Sequence, residues 1–203
     1  LDYYAAITYN QLPAASKPLA IGWVNNWNYA NAIPTSPWKS AMSIPRELTV
    51  RKEKGKWVLL QQPVASMRSL RLPPYHFDTK NISEKEQLLG FTSKQCEIEF
   101  VIRPGTTNKS GIRIAAGLGH ELEIGYDAWK GVLYLDRGKT AVQDFSPEFS
   151  RLHLAEAPVQ LKEGKLRVRI FYDNSIAEVF VNDGEQVFTM QLFNSKREDQ
   201  LVL

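Results

Sequence analysis

Apolar and polar residues alternate along much of the chain with a period of two. The pattern is clearest over residues 96–102, 121–126 and 166–172, where every second residue is apolar and most of the others are charged or polar. A period of two is typical of a β-strand with one buried face and one face in water. Each of these runs therefore predicts a strand of this kind.

Turn-forming residues separate the alternating runs. They lie at 163–165, 173–175 and 182–184, and they include Gly164, Asn174 and Gly184. A strand, a short turn and a second strand at this spacing predict antiparallel hairpins. Because no window of about a dozen residues has a helical period, the sequence predicts an all-β chain. Short helical turns are expected only at 83–89 and at Pro147–Arg151.

The character of the chain changes near residue 70. The segment before it has four strand-like stretches, rich in Trp and joined by loops with Pro and Asn, at 3–9, 19–24, 40–50 and 57–62. Four antiparallel strands in about 60 residues match one blade of a β-propeller. The later strands recur every 8–12 residues or so, as in a β-sandwich. We expect a blade at 1–70, a linker at 71–81 and an antiparallel sandwich at 82–203.

A single blade cannot cover its own apolar faces. Such a sheet needs other strands or sheets to pack against. The first segment is therefore expected either to pack wholly onto the second or to follow further chain upstream of Leu1.

Composition excludes several classes of function. The 203 residues are 43% hydrophobic and 23% charged, with a net charge of +3, as in an ordinary globular chain. Basic residues are scattered among acidic ones, so we expect no nucleic-acid partner. No apolar run is long enough to span a membrane, so no membrane partner is expected. One cysteine, Cys96, excludes a disulfide framework within the chain.

An unusual cluster of aromatic and amide residues lies between the second and third predicted strands. Residues 22–38 contain three Trp, one Tyr and four Asn. Aromatic rings stack on the apolar face of sugars, and Asn amides bind hydroxyl groups. The cluster is consistent with a sugar-binding loop. It is equally consistent with Trp residues in the core and Asn residues that form turns.

Candidate catalytic and metal-binding residues are few. Glycoside hydrolysis needs two carboxyl groups roughly 5–9 Å apart. Asp173 and Glu178 flank a turn, but they are more simply a turn residue and a solvent-facing strand residue, and Asp2 has no evident partner. The three His residues, at 76, 120 and 153, lack metal-ligand spacing. We therefore assign no catalytic residue, metal ligand or cofactor.

Several motifs resemble glycoside hydrolase family 32. The segments 2–6, 22–30, 34–38 and 43–46 are similar to the last propeller blade of that family, and 169–184 is similar to the penultimate hairpin of its C-terminal sandwich. The resemblance implies a five-bladed propeller followed by a β-sandwich. It also implies retaining cleavage of β-fructofuranosidic bonds in levan, inulin or sucrose.

The same resemblance implies that the catalytic carboxylates lie outside this chain. The family's nucleophile, transition-state stabiliser and acid/base occur in Asn-Asp-Pro, Arg-Asp-Pro and Glu-Cys segments, and none of these occurs here. All three would precede Leu1. A closing sandwich strand would follow Leu203.

What the family implies for this chain's own residues is limited to the aromatic loop. Trp27, with Asn26 beside it, matches an aromatic residue that family members place against fructose, where it would position the ring and exclude water. Trp23 and Trp38 are expected to be packing residues. The implied partners are a fructan or fructoside substrate and the remaining blades, from upstream chain or a second polypeptide. The implied location is extracellular or periplasmic.

Two other classes of function remain open. The sandwich could be a module that binds fructan or another glycan without cleaving it. It could also be structural, supporting the propeller or forming a homodimer contact. Catalytic motifs upstream of Leu1 would separate the enzyme from both alternatives.

Overall fold

A computed structural model describes residues 1–77, 86–194 and 197–203. Within these ranges the chain is built from β-strands, as predicted. The strands are β1 Tyr4–Thr8, β2 Leu19–Val24, β3 Ala41–Met42, β4 Arg46–Glu53, β5 Lys56–Pro63, β6 Leu88–Thr92, β7 Gln95–Ile102, β8 Lys109–Gly117, β9 His120–Asp127, β10 Val132–Lys139, β11 Leu154–Pro158, β12 Leu166–Asp173, β13 Ile176–Val181, β14 Gln186–Gln191 and β15 Gln200–Val202. The helical segments are α1 Pro147–Arg151 and the 3-10 helices Ala30–Ala32, Ala65–Leu70 and Asn182–Gly184.

The first five strands form one antiparallel sheet in the order β1-β2-β4-β5, with β3 paired to β2. The sequence predicts one strand at 40–50, and these bounds are wrong. Regular strand pairing stops after β3 and resumes only at β4. Pro45 has no N–H to donate there. Ser43 instead accepts a hydrogen bond from the Gly22 N–H on its Oγ atom at 3.0 Å. The interruption brings Arg46 to the start of β4.

The later strands form two facing antiparallel sheets. One has the order β11-β10-β9-β8-β15-β6 and the other the order β14-β13-β12-β7. The alternating runs correspond to β7, β9 and β12. Their apolar side chains fill the space between the sheets, as illustrated by Leu122 and Ile124 on one side and Leu166 and Ile170 on the other. The predicted antiparallel sandwich is confirmed.

The two predicted helical turns have different outcomes. Pro147–Arg151 is helical, with proline at its beginning and Phe149 fully buried. The second turn was predicted at 83–89, and residues 83–85 lie outside the described residues. Its last two residues are extended, because Leu88 and Leu89 begin β6, which pairs with β15. The helical prediction is wrong there.

The first sheet rests against the sandwich through a second, smaller apolar cluster. Tyr29 and Ile33, from the segment after β2, pack with Phe149 of α1 and with Phe193, which follows β14. All four side chains are buried. The segment that carries the candidate sugar-binding residues is therefore fixed to the sandwich at its base.

No helix among the described residues is long and apolar enough to cross a membrane.

Candidate functional site

The candidate site is the loop that follows β2. Three hydrogen bonds fold it into a compact turn. Asn25 Oδ1 accepts the Asn26 N–H at 2.8 Å, Asn26 Oδ1 accepts the Asn28 N–H at 3.0 Å, and the Asn26 carbonyl accepts the Tyr29 N–H at 3.0 Å. Asn residues favour such turns because their short side chains bond to nearby backbone groups. The amides therefore shape the loop, and its tip bears Trp27.

Trp27 lies at the surface of the described residues. Its side chain is 69% exposed, and its ring lies 5.0 Å from that of Trp23 between centroids. Tyr4 of β1 meets Trp23 edge-on at 6.4 Å. Together these three rings form an open aromatic surface. Trp38 was expected to be a packing residue, but it is 67% exposed, so that expectation is wrong among the described residues.

The base of the loop is buried and bonded to a charged pair. The Tyr29 hydroxyl donates to Asp2 Oδ1 and accepts a hydrogen bond from Arg137 Nη2 at 3.0 Å. Burial raises the pKa of Tyr29 well above its ordinary value, and the Asp2 carboxylate raises it further. Tyr29 therefore stays neutral, acting as a donor to Asp2 and an acceptor from Arg137.

Asp2 does have a partner, which the sequence did not reveal. Its Oδ2 atom accepts hydrogen bonds from Arg137 Nη1 at 2.7 Å and from the Gln191 N–H at 2.8 Å. Both side chains of the Asp2–Arg137 pair are fully buried. A carboxylate whose oxygens accept this many hydrogen bonds is fixed in place. We conclude that Asp2 is structural in this arrangement.

Glu178 is also misjudged by the sequence, which predicts a solvent-facing residue. Only 2% of it is exposed, and its Oε2 atom lies 2.6 Å from Arg46 Nη2. Its other oxygen accepts the Ile44 N–H at 2.7 Å. Burial raises the pKa of Glu178, while the Arg46 charge opposes that shift. Asp173, in contrast, is exposed, but it is the last residue of β12 and not part of the turn itself; its Oδ1 atom accepts a hydrogen bond from Gln95 Nε2 at 2.9 Å. These two carboxylates do not form a shared site.

The remaining chemically active side chains do not converge. His120 and His153 each face one carboxylate, Glu198 and Asp136 respectively. Nowhere in the described ranges do three or more His, Cys, Asp or Glu side chains group closely enough to hold a metal ion. Cys96 is half-buried, and burial raises its pKa to about 11, so the thiol stays protonated near neutral pH.

Sequence reasoning missed Arg137, although a signal was present. Leu133, Leu135 and Arg137 occupy alternate positions of β10 and so share one face of the strand. The two Leu side chains are fully buried, and so is Arg137. An arginine in line with buried leucines indicates a buried ionic contact. Its partner could not be read from the local sequence.

Comparisons with known proteins agree with this architecture. Residues 1–63 match the family described as "Glycosyl hydrolases family 32 N-terminal domain", and residues 66–203 match "Glycosyl hydrolases family 32 C terminal". The levanase of Bacillus subtilis (strain 168) is 36% identical over 193 residues, which are 93% of this chain and 28% of the levanase. The extracellular exo-inulinase of Aspergillus niger is 33% identical, over 96% of this chain and 37% of that protein.

A solved structure shows the same arrangement. The crystal structure of exo-inulinase from Aspergillus awamori superposes with a TM-score of 0.89 at 30% identity. The match covers 99% of this chain and 40% of the exo-inulinase chain. This confirms a propeller blade followed by a β-sandwich. The chain therefore belongs to glycosyl hydrolase family 32, and it spans well under half the length of these relatives.

Proposed function

We propose that this chain is the C-terminal part of a fructan hydrolase that cleaves β-fructofuranosidic bonds with retention, with its catalytic carboxylates outside the 203 residues. Family membership and similarity to a levanase and to exo-inulinases support the reaction class. The observation within the chain that carries the proposal is the exposed Trp27 ring on a loop with a buried base. Such a loop can present a rigid aromatic surface to a sugar.

In this proposal Trp27 and Asn26 bind substrate and take no part in proton transfer. The Trp27 ring stacks on the apolar face of a fructofuranosyl unit and excludes water from it. The Asn26 Nδ2 atom, which lies 3.4 Å from the Leu1 carbonyl, donates to a sugar hydroxyl when substrate binds, while Oδ1 keeps its bond to the Asn28 N–H. Retaining hydrolysis uses two carboxyl groups about 5–5.5 Å apart. Asp2 and Glu178 are buried in ion pairs, so other residues supply them.

The proposal also covers the organisation of the protein. Residues 1–70 form the last of five blades, 71–81 the linker and 82–203 the sandwich. Within these ranges, residues 78–85 and 195–196 lie outside the described residues. All five residues of β1 are exposed, which supports a neighbouring blade as the missing cover. Because the Aspergillus relatives are named as extracellular enzymes, we propose a secreted protein.

The test uses the full-length protein and measures fructose released from levan, inulin and sucrose. We expect Trp27→Ala to lower the rate of fructose release on the order of 100-fold. Trp129→Ala is the matched control, because Trp129 is 84% exposed in the turn between β9 and β10 of the sandwich. Fructan binding without any release of fructose would replace the proposal with the glycan-binding alternative. Equal activity in both variants would remove Trp27 from the site.

A further inference from the structure

We propose that Arg137 is a positioning residue, through which the sandwich sets the place of Trp27 and Asn26 in the fructoside site. The inference rests on the proposed function of the loop after β2. It adds that the sandwich, which carries no residue of that loop, determines how well the loop binds and orients its sugar.

The tip of the loop after β2 is held by hydrogen bonds within the loop, whereas its base is held by contacts with the sandwich. Its tip is held by hydrogen bonds among residues 25–29. These bonds fix the shape of the turn, but they do not fix where the turn lies. That position is set at Tyr29 and Ile33, whose buried side chains contact the sandwich. The Tyr29 ring meets Phe149 edge-on at 5.1 Å.

Arg137 is the polar centre of this contact. Nη1 donates to Asp2 at 2.7 Å and to the Gln191 carbonyl at 2.9 Å. Nη2 donates to the Tyr29 hydroxyl at 3.0 Å and to the Leu152 carbonyl at 2.8 Å. The guanidinium also lies over the Phe149 ring, at 3.8 Å from its centroid. One side chain thus joins the loop base, the segment before β1 and two further segments of the sandwich, the end of β14 and α1.

Only a guanidinium can make this set of contacts. Its nitrogens point in fixed directions within one plane, which also stacks on an aromatic ring, whereas lysine has a single compact charge. In Arg137→Lys the charge opposite Asp2 remains, but an ammonium group cannot reach Tyr29 and the two carbonyl groups together. We therefore expect the loop base to shift. A displacement of about 1 Å near a reacting sugar can lower the rate on the order of 100-fold.

The interface contains a second buried ion pair that serves as a control. Arg46 and Glu178 are as deeply buried and also join the first sheet to the sandwich. Their hydrogen bonds go to Ile44, Gln61 and Thr189, and none reaches the loop after β2. Arg46→Lys should therefore lower stability much as Arg137→Lys does, without moving Trp27.

Two hydroxyl deletions give a milder comparison. Tyr29→Phe removes the loop's hydrogen bonds to Arg137 and to Asp2 but keeps the ring and the Asp2–Arg137 pair. Thr189→Val removes a buried hydroxyl bonded to Arg46 at 2.6 Å and leaves the Arg46–Glu178 pair. If Arg137 acts through Tyr29, combining Tyr29→Phe with Arg137→Lys should reduce activity by less than the product of the two single effects.

The experiment measures kcat and KM for sucrose hydrolysis by these variants of the full-length enzyme, together with the melting temperature of each variant. The assays are run well below the lowest melting temperature. We expect Arg137→Lys and Tyr29→Phe to lower kcat/KM on the order of tenfold or more, through both kcat and KM. Arg46→Lys and Thr189→Val should change it by about twofold or less. Equal losses of kcat/KM in these two pairs of variants would overturn the inference. If Arg137→Lys does not fold, the comparison of Tyr29→Phe with Thr189→Val decides it.

The outcome for Trp27→Ala, measured alongside, separates the two proposals. If Trp27→Ala is impaired while Arg137→Lys and Tyr29→Phe match their controls, only the positioning by Arg137 is overturned. If Trp27→Ala is fully active, the loop does not bind the fructoside, so both the role of Trp27 and its positioning by Arg137 are overturned, while hydrolysis itself is not.

Discussion

Arg46 Nη2 lies 2.6 Å from Glu178 Oε2, and this contact joins β4 of the first sheet to β13 of the sandwich. Both side chains are almost fully buried, and the Asp2–Arg137 pair repeats the arrangement in the same interface. A buried charge is tolerated only when a partner and further hydrogen bonds replace its water. The blade and the sandwich are therefore held in one relative position by two buried ion pairs, each of which would lose its partner if the blade moved.

The Arg46–Glu178 pair predicts a specific pattern of stability. Arg46→Met leaves Glu178 buried without an opposite charge, so the free energy of unfolding should fall by about 3–5 kcal/mol. Adding Glu178→Leu removes the stranded charge, so the double variant should lose less than the sum of the single losses. Urea denaturation of the 203-residue chain measures all three. Additive losses would show that the two side chains do not depend on each other.

Hydrogen exchange should distinguish the two halves of the chain. Strand β1 is exposed at every position and, in the part of the chain that the structure describes, pairs only with β2. Strand β12 lies between β13 and β7, and its inward side chains are buried. Local opening needs less free energy where few apolar contacts are lost. In the isolated chain, β1 amides should exchange much faster than those of β12. Equal protection would mean that the first half gains more stability from the sandwich than we expect.

Trp27→Ala should leave the stability of the isolated chain nearly unchanged. Its ring is mostly exposed in the described structure, so truncation removes few buried contacts. A core Trp→Ala change would lower the free energy of unfolding by about 3–5 kcal/mol. Thermal melting with Trp129→Ala as the comparison checks this prediction. A loss in the core range for Trp27 alone would favour the packing interpretation left open by the sequence.

The isolated 203-residue chain should not hydrolyse levan, inulin or sucrose. Two deeply buried carboxylates, Asp2 and Glu178, are held by arginines and accept backbone hydrogen bonds, so neither is free to attack a sugar or transfer a proton. Fructose release after incubation with each substrate is the measurement. Turnover of about 10 per second, ordinary for an enzyme, would contradict the prediction.

Glu97 should stabilise the folded chain near neutral pH and lose that effect in acid. Its carboxylate receives two hydrogen bonds from Arg71, at 2.6 and 2.7 Å, and another from Arg169. Burial raises the pKa of Glu97, but the two arginines outweigh that effect and hold it below the ordinary 4.5. Since the folded-state pKa is the lower one, the contribution is complete above about pH 4.5 and is lost as pH falls through the folded-state value.

Denaturation between about pH 6 and 3 tests this prediction. Glu97→Gln should be less stable at pH 6, by about 1 kcal/mol, and the difference should shrink as the medium becomes acidic. Glu163→Gln is the control, because the Glu163 side chain is 80% exposed and its ion pair among the described residues is a long one, 3.4 Å from Lys165 Nζ. A constant difference across the range would show that the carboxylate's charge is not what stabilises this contact.

The sequence by itself determined strands β7, β9 and β12 of the sandwich and helix α1. A period of two needs only a sheet with one covered face, and each alternating run supplies that information locally. The same reasoning failed at Glu178 because β13 has both faces covered, one by the sandwich core and the other by the first sheet. The alternation of residues along one strand cannot show that a second sheet covers the face that the pattern predicts to be in water.

Only the tertiary structure decided which charges meet. Asp2 and Arg137 are 135 residues apart, and Arg46 and Glu178 are 132 apart. The sequence singled out the aromatic loop, because its composition is local, but it could not show that Tyr29 anchors the loop while Trp27 stays exposed. That difference arises from where the sandwich lies. Burial and ion pairing depend on distances across the fold, and no spacing along the chain encodes them.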